Sequence, residues 1–128
     1  MISATCIQKI RDRNGKINDP YLDEVIETQG DLFEEVVYSG GDLVDFTNKF
    51  MNSKMKRIID ERGPIHTNMI WNEQLECLEK EGIKVKELDK NDKYPFNDYM
   101  IANWIGEFYA YMQWYTQMYS SYIIKIAQ

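Results

Sequence analysis

The segment NDYMIANWIGEFYAYMQWYTQMYSSYIIK, near the end of the 128-residue chain, carries nine aromatic residues, and Glu107 is its only charged side chain between Tyr99 and Ile124. A stretch this apolar has to be buried against something, and its spacing says how. Trp104, Ile105, Phe108, Met112, Tyr115, Tyr119, Tyr122, Ile123 and Ile126 recur on one side of a helical wheel. Asn103, Glu107, Ala110, Gln113, Gln117, Ser121 and Lys125 fall on the other. The pattern predicts one helix over about 98 to 126 with its aromatic side in the core. Trp114, Tyr99 and Ile124 fall off the main arc, and Trp and Tyr are the residues most enriched at interface hot spots. Tyr99 and Trp114, with Glu107 beside them, are therefore candidate contact residues. A helix apolar on more than one side needs a second surface, from its own chain, from a second copy or from another protein.

The next constraint lies at 20 to 38. Pro20 suits the first helical turn and Asp19 before it is a good N-cap. Advancing about 100° per residue, Asp23, Glu24, Glu27, Asp31, Glu34 and Glu35 gather within one third of the circle. Leu22, Val25, Ile26, Leu32, Phe33, Val36 and Val37 occupy the opposite arc. Both arcs stay in phase through Gly30, which predicts one helix in spite of the ~1 kcal/mol cost of an interior glycine. Ser39-Gly40-Gly41 ends it. With Asp42 following, that run has some look of a phosphate loop, but it lacks a Gly-Lys-Ser/Thr ending and has acids around it, so it reads as a helix-capping turn.

A second helical run starts near Asp42 with Leu43, Val44, Phe46, Phe50, Met51, Met55, Ile58 and Ile59 on a wide apolar arc. Asn52-Ser53 is a break point within it, and Gly63-Pro64 stops it. A third helix is expected over 68 to 81, with Trp71, Leu75 and Leu78 inward and Gly82 as its cap. The alternation in IKVKEL, 83 to 88, predicts a short strand. Asn14-Gly15, between short apolar runs at 6 to 17, predicts a small hairpin that this strand could join, a helical start being the competing reading. Asp89 to Phe96 reads as a polar loop. With 44% hydrophobic residues, a chain of this size hides on the order of two-thirds of its unfolded surface. The expectation is a single domain over 1–128, mostly α: a compact bundle of four to five helices, with the hairpin and strand as minor additions.

Little of this carries chemistry. His66 is the only imidazole, in a loop after Gly63-Pro64, and catalysis needs partners within hydrogen-bond reach. Cys6 and Cys77 are too few and too far apart for a disulfide framework or a zinc spacing, and Cys77 reads as a small buried hydrophobe. The acids of 20 to 38 point away from the apolar arc, whereas di-metal bundles need carboxylates pointing inward. No catalytic residue, metal site or cofactor is expected; a small carboxylate- or metal-dependent enzyme using His66 is the alternative. The basic cluster Lys49, Lys54, Lys56 and Arg57 is small and runs into Asp60-Glu61, so it reads as a solvated turn rather than a nucleic-acid contact. No stretch approaches the roughly 20 apolar residues of a membrane span. The first residues lack the apolar core of a signal peptide. A soluble, cytoplasmic protein is expected.

Charge is the remaining signal. The chain has 21 acids and 15 bases, a formal −6. Between Lys16 and Lys49 there are nine acids and no base, a local −9, so the rest of the chain is at +3. Natural surfaces usually intersperse signs, and a basic partner turns such repulsion into attraction and fast association.

WIGEFYAYMQWYTQMYSSYII from Trp104, with YSGGDLVDFTNKFM at 38 to 51, resembles a group of small, uncharacterised, largely helical bacterial proteins. They share a W-I-G-x-x-Y-x-Y-x-x-W-Y core followed by a Ser-Ser pair. The matched stretches cover about a third of the chain. Members of that group occur beside toxin-like genes, ADP-ribosylating ones among them, so the resemblance implies an antitoxin or regulatory partner and supplies no catalytic residues. The group usually continues a few turns past the Ser-Ser pair, whereas this sequence stops at Gln128. The expectation is a non-enzymatic protein-binding module that docks Asp23, Glu24, Glu27, Asp31, Glu34, Glu35, Tyr99, Glu107 and Trp114 on a toxin-like or other basic protein. An acidic mimic of nucleic acid is the alternative form of inhibitor. Homo-oligomerisation through the aromatic helix is compatible with either.

Overall fold

Helix α1 runs Pro20–Tyr38 and α5 runs Tyr99–Thr116, and these two long helices pack antiparallel along most of their length. Around them stand α2 (Leu43–Met51), α3 (Lys54–Asp60), α4 (Trp71–Lys80) and α6 (Ser120–Ala127). The computed structural model describes residues 20–61, 69–89 and 98–127. The hairpin expected at 6 to 17, Cys6, Gly63-Pro64, His66 and the greater part of the 89–96 loop lie outside the described residues. The fold is mostly α, as the periodicity predicts, with six helices among the described residues rather than four to five.

The helix ends follow from local chemistry. Gly40 takes φ +87° after α1, a conformation that costs glycine nothing, and Gly41 N–H turns back to the Val36 carbonyl at 2.7 Å. Asp42 then caps α2, accepting from Asp45 N–H. Thus 38 to 42 is a capping turn. Asn52-Ser53 does divide the second run: Ser53 accepts from Lys56 N–H at the start of α3. The Glu81 carboxylate adds two more acceptors there, for Lys54 and Met55 N–H at 2.9 and 3.2 Å. Those bonds satisfy donors that a helix start leaves without partners and tie α3 to the end of α4.

The main core is formed by Leu32, Phe33 and Val36 of α1, Leu43, Phe46, Phe50 and Met51 of α2, Met55 and Ile59 of α3, Leu78 of α4, Ala102 of α5, and Ile123 and Ile124 of α6. Phe33 meets Phe46 and Phe50 edge-on, at centroid distances of 5.7 and 5.5 Å, the geometry that ring quadrupoles favour. A second cluster, Leu22, Ile26, Ala110, Tyr111 and Trp114, fills the far end of the α1–α5 contact.

Three sequence expectations are corrected. Residues 83–88 form no strand; they make one antiparallel bridge, Gly41 with Glu87, flanked by Asp42 N–H to the Lys86 carbonyl and Leu88 N–H to the Gly40 carbonyl. The α1–α2 turn supplies a single residue there for pairing, so no ladder can extend. The third helix starts at Trp71, not 68. The expected helix over 98 to 126 is two helices, because Gln117 adopts the left-handed conformation (φ 57°). Met118 N–H then bonds to Thr116 Oγ1 and the Met118 carbonyl accepts from the Gln113 amide. The new helix begins where Asp60 of α3 receives both the N–H and the hydroxyl of Ser120, at 2.7 and 2.9 Å.

Lys56, expected on a solvated turn, is 1% exposed. Its ammonium lies 3.4 Å from Asp60, whose side chain is equally buried. One carboxylate thus neutralises a buried lysine and caps α6.

Candidate functional site

Small residues stand along the middle of the α5 face that meets α1, with Tyr111 and Trp114 at its far end. Ala102, Gly106 and Ala110 are buried at i, i+4 and i+8, and they let the helix backbones approach closely. Gln29, itself buried, donates its side-chain amide to the Gly106 carbonyl at 2.9 Å. This turns α5 away from the expected orientation, although Ile105, Met112 and Tyr115, placed inward by the hydrophobic count, do pack against the core clusters. Ala110, placed outward by the hydrophobic count, faces inward, whereas Trp104 and Phe108, placed inward, are half-exposed and stacked on each other at 5.7 Å. Tyr119, Tyr122 and Ile126, also expected inward, are exposed. Trp114 is only 7% exposed and packs with Leu22, Ile26, Ala110 and Tyr111. It cannot serve as the contact residue expected of it.

Rotating α5 in this way brings Glu107 against the acidic side of α1. Asp23, Ile26, Glu27 and Asp31 of α1 with Asn103, Glu107 and Tyr111 of α5 line an open notch of about 290 Å³. Asn103 donates to Glu34 at 3.3 Å, on the same seam. The expected acids therefore divide. Asp23, Glu27, Asp31, Glu34 and Glu107 are drawn together along the α1–α5 seam, while Glu24 and Glu35, each the next residue along α1 from a seam acid, do not line it, the first exposed and the second half-buried. Tyr99, exposed as expected, meets Tyr38 edge-on at 6.0 Å where the C-terminal end of α1 meets the start of α5.

Electrostatics at the seam follow from this arrangement. Partial burial pushes the Glu107 carboxyl above its ordinary range, and the charges of Asp31 and Glu27 push it further. Burial likewise raises Asp31, with Glu27 and Glu34 adding to it. The ion pairs among the described residues are Lys49–Asp45, Lys56–Asp60 and Arg57–Glu61, and none of them reaches Glu27, Asp31 or Glu107. Among the described residues no group of three or more His, Cys, Asp or Glu side chains could hold a metal ion. What the seam offers is a diffuse negative field at a half-dry edge.

Beside the seam runs an apolar stripe that the sequence reading missed. Met100, Trp104 and Phe108 repeat every four residues, and Ile101 adjoins them; Met100 is 69% and Ile101 38% exposed. Residues three or four apart on a helix are surface neighbours, so Glu107 borders both Trp104 and Tyr111. The available signal was the small-residue repeat Ala102-Gly106-Ala110, which marks the side where another helix comes closest. A separate apolar groove of about 250 Å³, lined by Leu43, Val44, Ile105, Tyr109, Ile124 and Ala127 among others, lies between α2, α5 and α6. Among the described residues none of its lining side chains is charged.

Comparison with known proteins adds no relative: no protein-family model, no curated protein and no solved structure matches this chain. No helix among the described residues is long and apolar enough to cross a membrane.

Proposed function

We propose that this protein is a non-enzymatic binding module, an antitoxin-like inhibitor or regulatory partner that docks its α1–α5 edge on a basic protein and acts by occluding it. The observation that carries the reading is the gathering of Glu27, Asp31 and Glu107 from two helices onto one seam, with the Asp31 and Glu107 carboxyls held above their ordinary range by burial and by neighbouring carboxylates. A fold gains nothing from that repulsion on its own account, whereas a cationic partner relieves it and is steered towards it. The exposed Tyr99 and the half-exposed Trp104 and Phe108 provide the adjoining contact area, and aromatic side chains dominate interface energetics. A cytoplasmic location and a toxin as the partner belong to the same proposal.

The test is co-purification from the host with the wild-type chain and with the triple reversal Asp23→Lys, Glu27→Lys, Glu34→Lys. The expected result is a basic small protein retained by the wild type and lost from the variant, with retention falling as salt rises. Retention that is indifferent to both reversal and salt would overturn the reading. A nucleic-acid-binding protein as the captured partner would favour the mimic form of the inhibitor. A rise in melting temperature with Mg, Mn or Zn would instead reopen the enzyme class, because ligand binding to the folded state must stabilise it.

A further inference from the structure

Resting on that reading, we infer that the α1–α5 edge is shaped for one kind of partner element, an amphipathic helix with lysine or arginine along one flank and apolar side chains along the next. The argument starts from how the two halves of the edge are laid out. The apolar stripe Met100, Trp104 and Phe108 advances in steps of four along α5, so it runs with the helix axis for about 12 Å. Glu107 neighbours Trp104 on the same helix, and Glu27 and Asp31, one helical turn apart, lie across the notch from it. The edge thus carries two parallel tracks, one apolar and one acidic, set side by side.

An amphipathic helix presents matching tracks. Apolar residues at i, i+4 and i+7 meet the stripe, and basic residues offset by about a quarter turn meet the acids, the pattern by which helices lie in grooves. Charge selects the occupant. A second copy of this chain would bring its own acidic track to the same edge, and like charges so placed repel. A polycation without apolar side chains would leave Met100, at 69% exposure, uncovered.

The partner's chemistry can be tested with synthetic probes and the full chain. One peptide of about five turns has leucines on one face and lysines on the flank. A second has the same composition scrambled so that no stripe forms, and a third replaces lysine by glutamate. Binding is read by tryptophan fluorescence and by chemical-shift changes at 100–108. The expected result is that the patterned peptide binds about tenfold or more tightly than the scrambled one, with shifts at Met100, Trp104 and Phe108, and that the glutamate peptide does not bind. Glu107→Gln should weaken both lysine peptides, and Met100→Ser, at an exposed position with little packing to lose, should weaken only the patterned one. Equal binding of both lysine peptides would overturn the inference while leaving the general reading in place. Failure of both to bind would also overturn it, and the reading would then stand or fall on the co-purification result. Sedimentation of the free chain as a dimer that Met100→Ser turns into a monomer would overturn it too, because the stripe would then belong to a second copy.

Discussion

Gly106 of α5 sits directly on the backbone of Gln29 in α1: a Cβ placed at 106 would stand 2.5 Å from the Gln29 carbonyl oxygen. That approach sets the rotation of α5, and with it which side chains reach the seam and which face water. Gly30 is the corresponding residue on α1, but a Cβ there would meet only the side chains of Asn103 and Glu107, at 2.8 and 2.9 Å.

The two glycines should therefore respond differently to alanine. At 106 the obstacle is backbone, so Gly106→Ala must push the helices apart and is expected to cost about 1–3 kcal/mol, as overpacking usually does. At 30 the obstacles are side-chain atoms, Asn103 Oδ1 and Glu107 Cγ, which can shift without moving a helix backbone, and the ~1 kcal/mol helix-propensity gain of alanine over glycine offsets their displacement. Urea denaturation of both variants checks this. Equal losses would mean that the Gly106 contact does not set the packing.

The same contact explains what the sequence did and did not reveal. The acidic and apolar arcs of α1 were legible because each is continuous, and the stops at Gly40 and the break at Ser53 were legible because glycine and N-cap serine act locally. The rotation of α5 was not. A hydrophobic count weights Trp104 and Phe108 most heavily, yet the closest helix contact is made by Ala102, Gly106 and Ala110, whose value lies in how little space they fill. The break at Gln117 has no glycine or proline to announce it; it depends on Asp60, distant in sequence, capping Ser120. Lys56 reads as solvated because nothing local in the sequence separates its buried partner Asp60 from the exposed Glu61 beside it.

Trp104 and Trp114 provide a direct check on that rotation. Trp114 is buried against Leu22, Ile26 and Tyr111, so Trp114→Ala is expected to cost about 3–5 kcal/mol, the usual range for removing a buried indole. Trp104 is half-exposed, and Trp104→Ala should cost clearly less, near the ~1 kcal/mol typical of point substitutions. Iodide quenching of single-tryptophan variants should show the same order. The reverse order would place Trp104 in the core and remove the apolar track.

The seam carboxyls predict how stability varies with pH. Asp31 and Glu107 are raised in the folded state, so over the interval from the ordinary carboxylate range up to their raised values the folded chain binds more protons than the unfolded one. Stability then falls as pH rises through that interval. Their repulsion is fully present above the raised values and absent below the ordinary ones. The melting temperature is therefore expected to rise as pH is lowered from neutrality into the mildly acidic range, and Glu107→Gln should flatten the rise and be more stable than wild type at pH 7. A wild-type melting temperature that only falls on acidification, with Glu107→Gln behaving identically, would count against the coupling.

Asp60 has two buried tasks, and that makes the partners of its ion pair unequal. Desolvation lowers the Lys56 ammonium below its ordinary range, and the charge and hydrogen bond of Asp60 work against that. Asp60→Asn leaves a cation buried without its counterion and weakens the hold on Ser120, so a loss of about 3–5 kcal/mol is expected, the usual result of orphaning one member of a buried pair. Lys56→Met removes the charge that most needed a partner and leaves Asp60 with the N–H and hydroxyl of Ser120, so it should cost less. The double variant should recover part of the Asp60→Asn loss, because no uncompensated cation remains. Hydrogen exchange should show where the loss falls: Asp60→Asn should accelerate exchange in 120–127 more than Lys56→Met does. If the two single variants were equally destabilised with identical exchange in α6, Asp60 would be acting only as a counterion, and the start of α6 would have to be set by the turn at Gln117 alone.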